Sequence, residues 1–127
     1  MALIGIIIGL ALLEYTATVY LCGRARARHE IAAPSTTGDP TFERYFRVQQ
    51  NTVEQLIVFL PAILLFGTYV DEAIGAGLGL VFILGRVLYA RSYDRDPAER
   101  GLGFGLTALS NLVLTLGGLI GASVAYF

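Results

Sequence analysis

The chain has 127 residues, of which 55% are hydrophobic and 15% charged; mean hydropathy is +0.65 and the formal net charge at pH 7 is −1. That length bounds it to one domain, 1–127, and the apolar excess sets it apart from ordinary soluble proteins. A single cysteine, Cys22, excludes an internal disulfide, and with only His29 nearby it leaves no metal-ligand set.

The apolar residues fall in four blocks. Ala2–Cys22 carries one charge, Glu14. Its basic residues follow it rather than precede it, and no small-residue cleavage site closes it, so it reads as a retained helix and not a signal peptide. Gly23–Asp39 contains Ala33-Pro34-Ser35-Thr36-Thr37-Gly38-Asp39-Pro40 at its end and lacks helical periodicity, which reads as a loop. Asp39-Pro40 then supplies an N-cap and a first helical residue. Leu56–Val70, Ala73–Tyr93 and the uncharged Leu102–Phe127 are the remaining blocks; the second spans a bilayer only with part of the Phe42–Gln55 helix added. Asp96-Pro97-Ala98-Glu99 repeats the start signal with Asp at N-cap, Pro at N1 and Glu at N3. Since about 20 residues of helix cross a bilayer, the expected fold is an all-α integral membrane four-helix bundle. Its helices lie at about 2–22, 40–70, 73–93 and 97–126. The blocks do not alternate in polarity as barrel strands do. Glycines 75, 77, 79, 117, 118 and 121 suit close helix packing.

All nine basic residues are arginines, and each lies in the loop after helix one, the loop after helix three, or the helix ends beside them. The connection between helices two and three offers only Asp71 and Glu72. The positive-inside rule places the arginine-rich loops in the cytoplasm and both termini outside. In a bacterial cell this would be the inner membrane. No nucleic-acid partner is expected.

Within the second block, Arg44, Arg47, Asn51 and Glu54 recur at helical steps, which puts two cations, an amide and a carboxylate on one face. Arg86, Tyr89 and Tyr93 share a face of helix three, and Arg100 follows one loop later. Such groups at a membrane helix are costly and mark sites. The set suits a small, multiply charged ligand: arginines for carboxylates, Glu54 for an amine, tyrosines and amides for the remaining polar groups. The same polar face also reads as an interhelical network, and the tyrosines as interfacial anchors. Glu14, a carboxylate in the middle of a membrane helix, calls for an arginine or tyrosine partner.

Two segments resemble the MAPEG family, membrane-associated proteins of eicosanoid and glutathione metabolism. One is Phe42-Glu43-Arg44 with Arg47, Gln49, Asn51 and Glu54; the other is Gly85-Arg86-Val87-Leu88-Tyr89-Ala90-Arg91-Ser92-Tyr93 followed by Arg100. The match is nearest to the subgroup of microsomal glutathione transferases and leukotriene C synthase. The resemblance implies a homotrimer with glutathione as co-substrate, held between subunits near the cytoplasmic face. Arg47, Asn51, Glu54, Tyr89 and Tyr93 would then hold the tripeptide. Arg26 and Gln49 resemble residues supplied across the subunit interface, and Arg100 would be catalytic, stabilising the thiolate.

The chain departs from the family pattern at Gln55, where an aromatic is common, at Pro61, which comes later than the usual proline, and at Ala27. The leukotriene synthase has a second arginine at the Ala27 match, which argues against that substrate here. The leading expectation is a membrane glutathione transferase, with glutathione peroxidase activity as an extension, acting on a lipophilic small molecule from the surrounding lipid. A non-catalytic lipid-binding member of the family is the alternative. A proton-coupled multidrug exporter using Glu14 is a third.

Overall fold

A computed structural model describes residues 1–93, 95 and 97–127. They form four helices and no strand: α1 Ala2–Arg28, α2 Pro40–Tyr69, α3 Glu72–Ser92 and α4 Pro97–Tyr126. All four are long and apolar enough to cross a membrane, which makes the chain a multi-pass membrane protein of the expected class.

α1 is longer than hydropathy suggests. It continues through Gly23-Arg24-Ala25-Arg26-Ala27-Arg28, a segment that hydropathy alone assigns to the loop, and ends at His29. Alanine and arginine are strong helix formers, and Arg26 and Arg28 in the last turn complement the negative end of the helix dipole. The membrane-crossing stretch ends where apolar residues end; the helix ends later, where the backbone loses its preference.

Asp39 caps α2 as expected. Its Oδ1 accepts hydrogen bonds from the Thr41 and Phe42 amides at 2.8 and 3.1 Å, with Pro40 in the first turn; a cap of this kind is worth about 1 kcal/mol. The other oxygen, Oδ2, lies 3.3 Å from His29 Nδ1, so His29 ties the end of α1 to the start of α2 instead of standing free in solvent. Asp71 caps α3 by accepting from the Ile74 amide at 2.8 Å. Asp96, expected to cap α4, lies outside the described residues.

α3 packs along α4, α2 touches all three other helices, and α1 lies against α2 and α3. The core is built from Ile4, Ile7, Phe59, Ile63, Phe66, Phe82 and Leu114, with the Phe59 and Phe82 rings stacked at 3.9 Å. Lipid tails are as apolar as these side chains, so helix association rests on close packing and hydrogen bonds more than on removal from water. The helices approach closest at Gly85 and Gly103: a Cβ on Gly103 would sit 2.5 Å from the Tyr89 amide nitrogen and 2.7 Å from the Gly85 carbonyl oxygen. Gly75, Gly79, Gly117, Gly118 and Gly121 also lie in tight contacts, whereas Gly77 faces open space. Hydroxyls buried in this packing bond to helix carbonyls, as Ser110 does to Leu78 at 2.6 Å and Thr107 to Gly103 at 2.9 Å.

Candidate functional site

The Gly85–Gly103 contact fixes the site. It presses the end of α3 against the first turns of α4, which brings Tyr89 and Tyr93 beside Arg100. α2 runs past the same point with its polar face turned toward them. The result is two adjoining depressions of about 290 and 320 Å³. Phe46, Arg47, Gln50, Asn51, Glu54, Tyr89 and Tyr93 line the first; Asn51, Tyr89, Tyr93, Arg100, Gly101 and Phe104 line the second. Asn51, Tyr89 and Tyr93 are common to both and form the ridge between them.

Aromatic rings and guanidinium groups alternate through this region. The Arg86 guanidinium lies 4.4 Å from the Tyr89 ring centre; the Tyr89 and Tyr93 rings meet edge to face at 5.4 Å with hydroxyls 3.3 Å apart; Arg100 lies 5.4 Å from the Tyr93 ring centre. Cation–π contacts of this kind contribute about 0.5–2 kcal/mol each, more where water is excluded. Burial pushes the Tyr93 hydroxyl up, but the Tyr89 hydroxyl, the charge of Arg100 and hydrogen bonds with Arg100 and Arg47 outweigh it. The Tyr93 phenol is therefore held below its ordinary value. A site that favours a phenolate favours other anions at the same place.

Of the residues expected to act together, the structure brings Arg47, Asn51, Glu54, Tyr89, Tyr93 and Arg100 into one cleft. Asn51 Oδ1 is buried there with no hydrogen-bond partner among the described residues; a buried polar atom left so costs about 1–3 kcal/mol. Arg44 does not line the cleft. Gln49, half-buried, lies outside the lining as well. Arg26 is engaged with its own loop: Nη1 donates to the Ser35 carbonyl at 2.7 Å and the Ile31 carbonyl at 3.4 Å, and the guanidinium lies 4.7 Å from the Phe42 ring centre.

Gln50, Phe46, Phe104 and Gly101 line the site but were not singled out from sequence. Gln50 lines the cleft one helical step of three from Arg47, a spacing that could have found it. Phe46 and Phe104 supply apolar walls on opposite sides. Gln55, the position where the family pattern breaks, joins α2 to α4. Asn111 Nδ2 donates to its carbonyl at 3.3 Å and to its Oε1 at 3.1 Å. No group of His, Cys, Asp and Glu among the described residues could hold a metal ion, and Cys22 is buried.

Chemically, the cleft offers two guanidinium groups, one carboxylate, two phenols and two side-chain amides around a partly apolar wall. Guanidinium groups pair with carboxylates, a carboxylate with an amine, and phenols and amides with the remaining polar groups of a ligand.

Comparison with known proteins agrees with this pattern. The sequence profile of the MAPEG family matches residues 4–120. An uncharacterized protein of Synechocystis sp. is 46% identical over 115 residues, covering 91% of this chain and 84% of that one. Microsomal glutathione S-transferase 2 of Homo sapiens is 38% identical over 104 residues, covering 82% of this chain and 71% of that protein. Leukotriene C4 synthase of Cavia porcellus is 39% identical over 77 residues, covering 61% and 51%.

Proposed function

The chain belongs to the MAPEG family, and on that premise we propose that it is a glutathione-using membrane enzyme, more narrowly a glutathione transferase with glutathione peroxidase activity as an extension. The observation that carries the reading is the pair of adjoining depressions, sharing Asn51, Tyr89 and Tyr93, that gathers Arg47 and Glu54 on one side and Arg100 on the other. The names of the relatives, glutathione transferases and a leukotriene synthase among them, support glutathione as the occupant.

In this reading Arg47 pairs with a glutathione carboxylate and Glu54 with its α-amine. Asn51, Tyr89 and Tyr93 bind the peptide groups. The thiol lies toward Arg100. A free thiol has a pKa of about 8.5, and each unit by which a cation lowers it is worth roughly 1.4 kcal/mol of preference for the thiolate. The thiol proton leaves to solvent, and the sulfur lone pair forms a C–S bond to the electrophilic carbon as the leaving group departs or the double bond shifts. With a lipid hydroperoxide, two glutathione thiols supply the electrons, giving the alcohol, water and the disulfide.

The lipophilic substrate enters from the bilayer along the apolar wall at Phe104. The exposed leucines, isoleucines and valines of α1 and α4 face lipid and neighbouring subunits of a homotrimer, in which Arg26 and Gln49 reach an adjacent subunit's cleft. The arginine-rich end faces the cytoplasm.

The test is a conjugation and peroxidase panel on purified protein, with Arg100→Ala alongside. Turnover should fall about a hundredfold, the scale of losing one preorganised charge-stabilising group, while glutathione affinity changes less than about threefold. Equal loss of both, or no loss, would remove Arg100 from that role. Calorimetry showing no glutathione binding would favour the non-catalytic lipid-binding reading.

A further inference from the structure

α1 buries a regular stripe: Ile4, Ile7, Ala11, Thr18, Cys22 and Ala25, at steps of three and four. Glu14 occupies the step between Ala11 and Thr18. A carboxylate at that depth of a membrane helix costs on the order of 2.5–3.5 kcal/mol or more, so the bundle must return something to it. Across the α1–α3 contact lies Arg86. It is 1% exposed, and its Nε, Nη1 and Nη2 have no hydrogen-bond partner among the described residues. Glu14 Oε2 is buried and equally without a partner among them.

Glu14 and Arg86 act on one another electrostatically across the bundle, with no hydrogen bond between them. Tyr89, Glu14 and Tyr93 act electrostatically on Arg86, and Glu14 is the carboxylate among those three. An arginine cannot shed its proton. Arg86 therefore stays charged, and the Tyr89 ring lies 4.4 Å from its guanidinium. Tyr89 in turn meets Tyr93 through hydroxyls 3.3 Å apart, and Tyr93 lies under Arg100. One line of contacts thus runs from Arg86 on α3 to Arg100 on α4.

We infer that Glu14 is a positioning residue for the site: its carboxylate holds the Arg86 guanidinium against Tyr89, and so sets the Tyr89–Tyr93 pair on which a bound tripeptide rests. This deepens the glutathione reading and rests on it. It also gives Glu14 a role that a cation exporter would not, since a carboxylate engaged with a fixed arginine is not free to exchange protons for cargo.

The chain has seven tyrosines and no tryptophan, so its near-ultraviolet circular dichroism reports tyrosine packing, and calorimetry with glutathione reports the cleft. Glu14→Gln should weaken glutathione binding about tenfold, equivalent to ~1.4 kcal/mol, and change the tyrosine dichroism. Glu14→Asp should recover most of both. Removing one partner of a buried pair strands the other charge, whereas removing both does not. The double variant Glu14→Gln with Arg86→Met therefore regains thermal stability, keeps the weakened binding and keeps the altered dichroism; it also serves where Glu14→Gln alone does not fold. Wild-type affinity and dichroism in folded Glu14→Gln, or in the double variant, would overturn the inference and leave Glu14 only neutralising Arg86. If the wild-type protein binds no glutathione, the reading of the cleft fails, and the dichroism still decides the tether. A change on Glu14→Gln that vanishes in a Tyr89→Phe background supports it; an unchanged spectrum overturns it.

Discussion

The two ends of the bundle solve the same packing problem with different materials. At the end away from the arginines, Gly67, Gly75, Gly117 and Gly118 admit Ile4, Phe66 and Leu65 side chains, and contact is apolar against backbone. At the arginine-rich end, Gly85 and Gly103 bring two backbones together, and the space beside them is filled by Arg86, Tyr89, Tyr93 and Arg100. The buried polar atoms without partners among the described residues belong to Glu14, Asn51, Arg86 and Asn111. Asn51 lines the cleft and Arg86 packs on its Tyr89, while Glu14 and Asn111 lie near the middles of α1 and α4. A membrane bundle can be made stable without such groups, so those that reach the cleft, Asn51 and Arg86 behind Tyr89, signal binding more than stability.

The sharpest way to break the comparison is to close the backbone contact. Gly103→Val places a side chain where Tyr89 backbone already stands. It should cost about 1–3 kcal/mol or more and separate Arg100 from Tyr93, with activity lost along with stability. Gly77→Ala, in open space, should instead be neutral or stabilise by up to ~1 kcal/mol through helix propensity. Detergent unfolding curves on the two variants compare them directly, and similar losses in both would contradict the assignment of the close approach.

A smaller effect is expected at the carboxylate. Glu54→Gln removes a charged hydrogen bond worth about 1.5–3 kcal/mol, so the glutathione Kd should rise roughly ten- to a hundredfold with thermal stability little changed, because Glu54 is exposed. Calorimetry showing unchanged affinity would take the amine-binding role from this residue.

The smallest signal is spectroscopic. Against the effect of burial, Tyr89, Arg100 and Arg47 hold the Tyr93 phenol below its ordinary value. In an alkaline absorbance titration, the difference between wild type and Tyr93→Phe should show a phenol ionising below its ordinary value, and that ionisation should come later in Arg100→Ala. An unchanged titration in both would mean that Arg100 does not act on this part of the cleft.

Much of this was legible in the sequence because helical spacing is local. Arg47, Asn51 and Glu54 share a face by steps of four and three, as do Tyr89 and Tyr93, and no tertiary fact is needed to say so. The Asp39-Pro40 start was equally plain. What the chain does between helices was not legible. Arg86 has the spacing of a site residue, but its burial comes from the helices packed against α3, which its own helix pattern does not reveal. Gly85 and Gly103 matter only as a pair, and nothing in either helix alone marks the partner. The extension of α1 to Arg28 was hidden because hydropathy falls at Arg24 while helix propensity does not. Gln55, a departure from the family pattern, could be understood only once Asn111 was seen to hold it.

The central claim is that this cleft binds glutathione and that Arg100 makes it a thiolate. The direct measurement is the ultraviolet thiolate absorbance, with proton release, on mixing glutathione with wild-type protein and with Arg100→Ala at neutral pH. The wild-type protein should show thiolate formation and proton release on binding, and Arg100→Ala should bind glutathione with little of either. Thiolate formation undiminished in Arg100→Ala, or binding by the wild-type protein with no thiolate at all, would contradict it.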